Sequence, residues 1–136
     1  MIEVIRLSKQ FGPKTAVDNI SFSVAKGEVL GFLGPNGAGK STTMRMITGF
    51  IPPTRGTVTV GGDDIQTAPL KAKARIGYLP ENAPLYSDMT VASFLRFAAE
   101  LRGITGAAQK AAVDKAIETC FLEKVASQSL DTLSKG

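Results

Sequence analysis

Apolar and polar positions alternate through the first part of the chain, and the spacing becomes helical in the last part. Residues 2–7 set Ile2, Val4 and Arg6 against Glu3, Ile5 and Leu7, which predicts a strand. Phe11-Gly12-Pro13-Lys14 predicts a turn. Over 19–24, Ile20, Phe22 and Val24 fall on one face with Ser21 and Ser23 opposite, a second strand, and Lys26-Gly27 then turns the chain. The apolar run 29–33 reads as a buried parallel strand. A helix follows over 42–47, starting near Lys40, with Met44 and Ile47 on one face and Gly49 as its stop. Residues 51–56, with two prolines, cannot be regular structure. Residues 57–60 predict a strand, Gly61-Gly62 a hairpin turn, and 63–65 its return. A short helix over 67–74 and a short strand over 76–79, ended by Pro80, complete the first part. From Thr90, a good N-cap, Val91, Phe94, Leu95, Ala98 and Leu101 keep helical spacing until Gly103. A second helix covers 107–120, with Ala112, Ala116 and Cys120 on one stripe. All these stripes read as core packing.

Between the 29–33 run and the first helix lies Gly34-Pro35-Asn36-Gly37-Ala38-Gly39-Lys40-Ser41-Thr42. It fits the phosphate-loop pattern G-x-x-x-x-G-K-[ST] in the strand-loop-helix context that the pattern requires. A bland glycine-rich turn would match in a chain of this length on the order of once in a few hundred. The chemistry explains the spacing. A phosphate chain needs several donors aimed inward, and backbone N–H groups around Gly37, Ala38 and Gly39 supply them, with glycine allowing the dihedral angles and the close approach. The N-terminus of the helix adds free N–H groups and its positive dipole end. Lys40 gives a point charge for the β- and γ-phosphates, and the Ser41 hydroxyl is placed for Mg²⁺.

Composition narrows the classes. The 136 residues are a usual size for one domain, and 43% hydrophobic with 21% charged fits a soluble globular protein. No apolar run approaches the roughly 20 residues of a membrane span, and the N-terminus lacks the pattern of a secretion signal. The single cysteine, Cys120, rules out an internal disulfide framework and reads as a small, partly buried apolar residue in a reducing compartment. The net charge of +4 is scattered, with no basic stripe of the kind that nucleic acid would require. The chain has no histidine, which excludes imidazole catalysis and His-ligated metal within it.

Taken in order, the phosphate loop, Ile76-Gly77-Tyr78-Leu79-Pro80-Glu81 and the terminal Leu133-Ser134-Lys135-Gly136 resemble the ATPase domain of ABC transporters. The resemblance runs the whole chain, including Phe11 and the hairpin over 56–65, and the 85–91 stretch resembles the branch that exports drugs and polysaccharides. It departs from the family at two places. The family's signature LSGGQ begins here with Lys135 for its first glycine, and the family's glutamine after the second strand is Glu81.

The resemblance implies an α/β fold of the P-loop NTPase (ABC ATPase) type. An antiparallel β subdomain and the phosphate-loop core would occupy 1–89, and the start of a helical subdomain 90–136. It implies that Phe11 stacks on adenine and Val17 touches base or ribose, with Asn36, Gly37, Ala38, Gly39, Lys40, Ser41 and Thr42 holding ATP. Ser41 and Glu81 would hold Mg²⁺, Glu81 sensing the γ-phosphate; as a carboxylate it suits the metal better than the phosphate. Ser134 and Gly136 would contact ATP on a second copy of the domain. The implied function is ATP binding, and in the intact protein hydrolysis driving export through a transmembrane permease. That would place the protein in the cytoplasm, peripheral at the inner face of the membrane, with no nucleic-acid partner. The alternatives are a soluble ABC-type ATPase of translation or DNA repair, or a nucleotide-binding module alone. The family next requires an aspartate for Mg²⁺, a catalytic glutamate and a switch histidine, and 1–136 resembles only the first half of such a domain. The expectation is therefore an incomplete core sheet with an open apolar edge, and no turnover by these residues alone.

Overall fold

The structure, a computed structural model, describes residues 1–80 and 86–133. The chain divides into two compact units, Met1–Leu79 and Pro80–Gly136.

The first unit is built on a four-stranded antiparallel sheet of order β2-β1-β3-β4. Its strands are β1 (Ile2–Phe11), β2 (Lys14–Val24), β3 (Arg55–Val60) and β4 (Asp63–Asp64). Two helices accompany it, α1 (Lys40–Ile47) and α2 (Pro69–Ala74). The core gathers Val4, Leu7, Val17, Met46, Ile47, Val58, Val60, Ile65 and Ala72. β3 begins two residues earlier than the prolines suggest, because Arg55 pairs with Ser8 and the Thr54 N–H donates to the Ser8 carbonyl at 2.9 Å. The Gly61-Gly62 hairpin forms as expected, with both glycines at positive φ, as its tight turn requires. α2 starts at Pro69, later than expected, because the Asp64 carboxylate accepts from the N–H groups of Gln66 and Thr67 (both 2.8 Å) and holds 65–68 as a turn.

Two strand expectations fail. Residues 29–33 and 76–79 lie outside any ladder among the described residues. Val29, Leu33 and Leu79 are 95%, 94% and 83% exposed. An extended segment becomes a strand only when a neighbour accepts its hydrogen bonds, and among the described residues neither segment has such a ladder. Aromatic contacts tether both segments: Phe32 packs on Phe22 (centroids 5.5 Å apart) and Tyr78 on Phe50 (5.6 Å).

The alternation expected for β1 also fails at Leu7. Leu7 is fully buried while Ile5 and Arg6 are exposed. The pairing register slips between Val4 and Leu7, and Arg6 adopts φ +46, a bulge that turns Leu7 inward. In β2 the same spacing separates buried Val17 from Ile20, with Asn19 at φ +49. Gly56 of β3, at φ +85, lies against the Ile5 and Arg6 carbonyls so closely that a Cβ there would collide with both oxygens.

The second unit pairs α3 (Val91–Leu101) with α4 (Gly106–Thr119) and ends in a 3₁₀ turn, Leu130–Thr132. Thr90 caps α3, its hydroxyl oxygen accepting from the Ser93 N–H at 3.2 Å. The next free amides of α3 are met from the far end of the unit. Val91 and Ala92 donate to the carbonyls of Gln128 (3.1 Å) and Ala126 (2.9 Å). Across the helices, the Gln109 amide donates to the Arg96 carbonyl and the Glu100 carboxylate. Leu101 and Cys120, expected on the apolar stripes, are exposed; α4 buries Val113 instead, one residue from Ala112. Among the described residues no helix is long and apolar enough to cross a membrane.

Candidate functional site

The phosphate loop opens at Gly34 and is shaped by turn geometry. The Ala38 N–H donates to the Pro35 carbonyl at 3.2 Å, and Gly37 and Gly39 take φ +85 and +86. Gly39 is the N-cap of α1 in the left-handed region, with no side chain to cap the helix. A Ser or Asp there would turn its own oxygen onto the first amides of the helix, whereas glycine leaves them free. Thr43 locks the junction from below. Its N–H and its hydroxyl both donate to the Gly39 carbonyl, at 2.8 and 2.9 Å. That hydrogen bond lets Thr43 be buried beside Met46 and Ile47, so the inward face of α1 is Thr43-Met46-Ile47 and Met44, expected there, points outward. α1 ends at Thr48 and Gly49. Gly49 donates to Met46 and Phe50 to Arg45, the paired bonds that close a helix on a left-handed glycine.

The amides of Asn36, Gly37, Gly39, Lys40, Ser41 and Thr42 have no protein acceptor among the described residues. No acidic residue lies in the first turn of α1, so its positive end is uncompensated. The Lys40 ammonium folds back over the loop and donates to the carbonyls of Gly34 and Pro35, the latter at 2.8 Å. The result is a run of free amides at the positive end of a helix with a cation beside them, groups suited to an anion carrying several oxygens. The Ser41 hydroxyl is exposed next to this row and has no partner among the described residues. No group of three or more Asp, Glu or Cys side chains gathers among the described residues. The Ser41 hydroxyl is a single oxygen donor of the kind that Mg²⁺, usually held by one or two protein oxygens together with phosphate and water, accepts.

β2 backs the loop. A Cβ on Gly39 would collide with the Ala16 carbonyl and come within 3.0 Å of Val17 Cγ2. Val17, expected at base or ribose, is 6% exposed and belongs to the core, so it offers a wall behind Gly39 and little surface to a ligand. Phe11 sits at the tip of the same hairpin and is half exposed. Glu81, Ser134 and Gly136 lie outside the described residues. Two contributors escaped the sequence reading. Thr43 anchors the loop carbonyl, and Lys9 lies with its ammonium 5.2 Å from the Phe11 ring centre. The second carried a signal, since residues two apart on a strand share a face.

The family model described as ABC transporter matches residues 17–136. Over 136 residues the chain is 40% identical to YbhF of Escherichia coli (strain K12), a probable multidrug ABC transporter ATP-binding protein, covering all of this chain and 24% of that protein. It is also 40% identical to the linearmycin resistance ATP-binding protein LnrL of Bacillus subtilis (strain 168), covering all of this chain and 44% of that one. Nod factor export ATP-binding protein I of Paraburkholderia xenovorans (strain LB400) is 40% identical over 135 residues, 99% of this chain and 44% of that protein. The chain thus spans less than half the length of these relatives. Among solved structures, the ATP-binding subunit of an ABC transporter superposes with a TM-score of 0.86 at 30% identity, over 99% of this chain and 56% of that one.

Proposed function

This chain belongs to the ABC transporter family, and from that premise we propose that residues 1–136 bind the triphosphate of ATP at 36–42, as the cradle of an ATPase that drives export. The observation that carries the reading is the set of free amides at Asn36, Gly37, Gly39, Lys40, Ser41 and Thr42, with the Lys40 ammonium turned back onto the same loop. On binding, a phosphate oxygen replaces the Gly34 and Pro35 carbonyls as the acceptor for Lys40. The amides of Gly37 and Gly39, with the first turn of α1, hold the remaining oxygens. Ser41 and, from the family resemblance, Glu81 would hold Mg²⁺, whose chemistry there is to neutralise phosphate charge. Phe11 takes the adenine and Val17 backs the loop.

In the whole protein this cradle serves hydrolysis. A second copy of the domain contributes its Ser134 and Gly136, and a transmembrane permease holds the pair at the inner face of the membrane. The support is in the names of the relatives, which are transport and resistance proteins; none of those described above is a soluble translation or repair ATPase. Residues 1–136 alone bind without turnover. The chain has no histidine, Asp63 is paired with Arg75 at 3.0 Å, and Asp64 is engaged by Gln66 and Thr67. Binding without contacts special to the transition state does not speed the chemistry.

Calorimetric titration of Lys40→Ala tests both statements. Hydrogen bonds to charged groups are worth about 1.5–3 kcal/mol, so ATP affinity falls roughly ten- to a hundredfold with the circular dichroism unchanged. Phosphate release stays at background in both proteins. Equal affinities would remove the loop as the site, and steady release by the parent that vanishes in Lys40→Ala would reveal a base among these residues.

A further inference from the structure

The end of β1 is held by the segment that follows α1. The Thr54 N–H donates to the Ser8 carbonyl at 2.9 Å, and the Gln10 N–H donates to the Thr54 hydroxyl oxygen at 3.0 Å. Between them the Lys9 ammonium donates to the Pro52 carbonyl at 2.7 Å and stands 5.2 Å from the centre of the Phe11 ring. Lys9 is partly buried, so its stem is packed and its charge is committed to one acceptor and one ring face. A cation on one face of a ring biases it toward the rotamer that keeps the contact and leaves the other face for a planar guest.

We propose that Lys9 is a positioning residue for base recognition: anchored on Pro52, it holds the Phe11 ring in the orientation that stacks on adenine and leaves a single face for the base. This rests on the reading of Phe11 as the base-stacking aromatic. The benefit is pre-organisation, since a ring already ordered loses less freedom when the base arrives. The device also ties the two ends of the nucleotide site together, because Pro52 and Thr54 continue directly from the helix that presents the phosphate loop.

The test measures ATP and inorganic tripolyphosphate binding by the full chain and by Lys9→Met, Lys9→Arg, Phe11→Ala and the Lys9→Met/Phe11→Ala double variant. Lys9→Met weakens ATP about two- to fivefold, the range of an exposed cation–π contact, and leaves tripolyphosphate unchanged. Lys9→Arg, which keeps a cation for the ring face, holds ATP affinity closer to the parent than Lys9→Met does. In the Phe11→Ala background, Lys9→Met has no further effect. A Lys9→Met loss that persists in that background, or appears equally with tripolyphosphate, overturns the proposal in favour of plain charge attraction to phosphate. Parental ATP affinity in Lys9→Met overturns it too. Phe11→Ala binding ATP as tightly as the parent would instead overturn the role of Phe11 itself, a result separable from failure at Lys9.

Discussion

Gly37 and Gly39 offer a controlled comparison within one loop. Their φ angles are +85 and +86, so an alanine at either meets the same backbone penalty, about 1–2 kcal/mol for an L-residue in the left-handed region. Their surroundings differ. A Cβ at Gly37 meets nothing within 4 Å, whereas one at Gly39 collides with the Ala16 carbonyl and comes within 3.0 Å of Val17 Cγ2. Neither neighbour can give easily. The carbonyl belongs to the backbone of β2, and Val17 is packed in the core. Overpacking of this kind adds roughly 1–3 kcal/mol. Gly37→Ala is therefore expected to cost about 1–2 kcal/mol and Gly39→Ala about 2–5. With urea m-values of about 1–3 kcal/mol/M, the extra cost at Gly39 moves the unfolding midpoint by a few tenths of a molar unit or more below that of Gly37→Ala. Urea unfolding of the three proteins, followed by circular dichroism, measures it. Coincident midpoints for the two variants would refute the close approach of β2 to the loop, and with it the account of why position 39 is glycine.

Two further outcomes follow from the hydrogen bonding. Thr90→Ala removes the cap of α3 and should cost about 1 kcal/mol, with faster hydrogen exchange at the Ser93 amide and near-parental behaviour in Thr90→Ser; an unchanged Ser93 amide would dismiss the cap. The Asp64 carboxyl is held below its ordinary 3.8, chiefly by the Thr67 N–H, with desolvation opposing and Gln66 and the Thr67 hydroxyl assisting. Between that lowered folded value and 3.8 the unfolded chain binds more protons, so stability rises with pH across the window. The contribution is complete above 3.8 and is lost as pH falls through the folded value. Asp64→Asn should flatten this acid limb in unfolding measured from pH 2 to 6, and identical limbs in the two proteins would dispose of the idea.

How far the sequence was legible depended on the range of the interaction involved. Gly49, Gly61-Gly62, Thr90 and Gly103 were readable because each answers a local dihedral or an unpaired amide, and their neighbours in sequence contain the whole problem. The turn over 34–39 and the start of α1 after it were readable for the same reason, since glycines at positive φ and local amides shape them. Residues 29–33 and 76–79 were misread as strands because a ladder needs a partner, and hydrophobicity alone reports only the wish for one. Met44 was placed inward because an apolar residue outranks a threonine on any stripe. The hydroxyl of Thr43 reverses that order by satisfying itself on the Gly39 carbonyl.

The parity of β1 was the most consequential of these losses. Strict alternation from Ile2 puts Leu7 on the outer face, and Lys9 and Phe11 with it. The bulge at Arg6 turns Leu7 into the core, and a second slip, at Asn19 of β2, then sets Lys9 opposite Val17. Opposed residues of an antiparallel pair project from the same face of the sheet, so Lys9 stands on the side where Val17 backs Gly39, and the Phe11 ring lies within its reach. The bulge is stabilised from the neighbouring strand, where Gly56 is pressed against the Ile5 and Arg6 carbonyls at a point no Cβ can occupy. One extra residue in β1, accommodated by one glycine in β3 and answered by a slip in β2, is thus what brings the aromatic that reads the base, in the function proposed, to the same face as the loop that holds the phosphates.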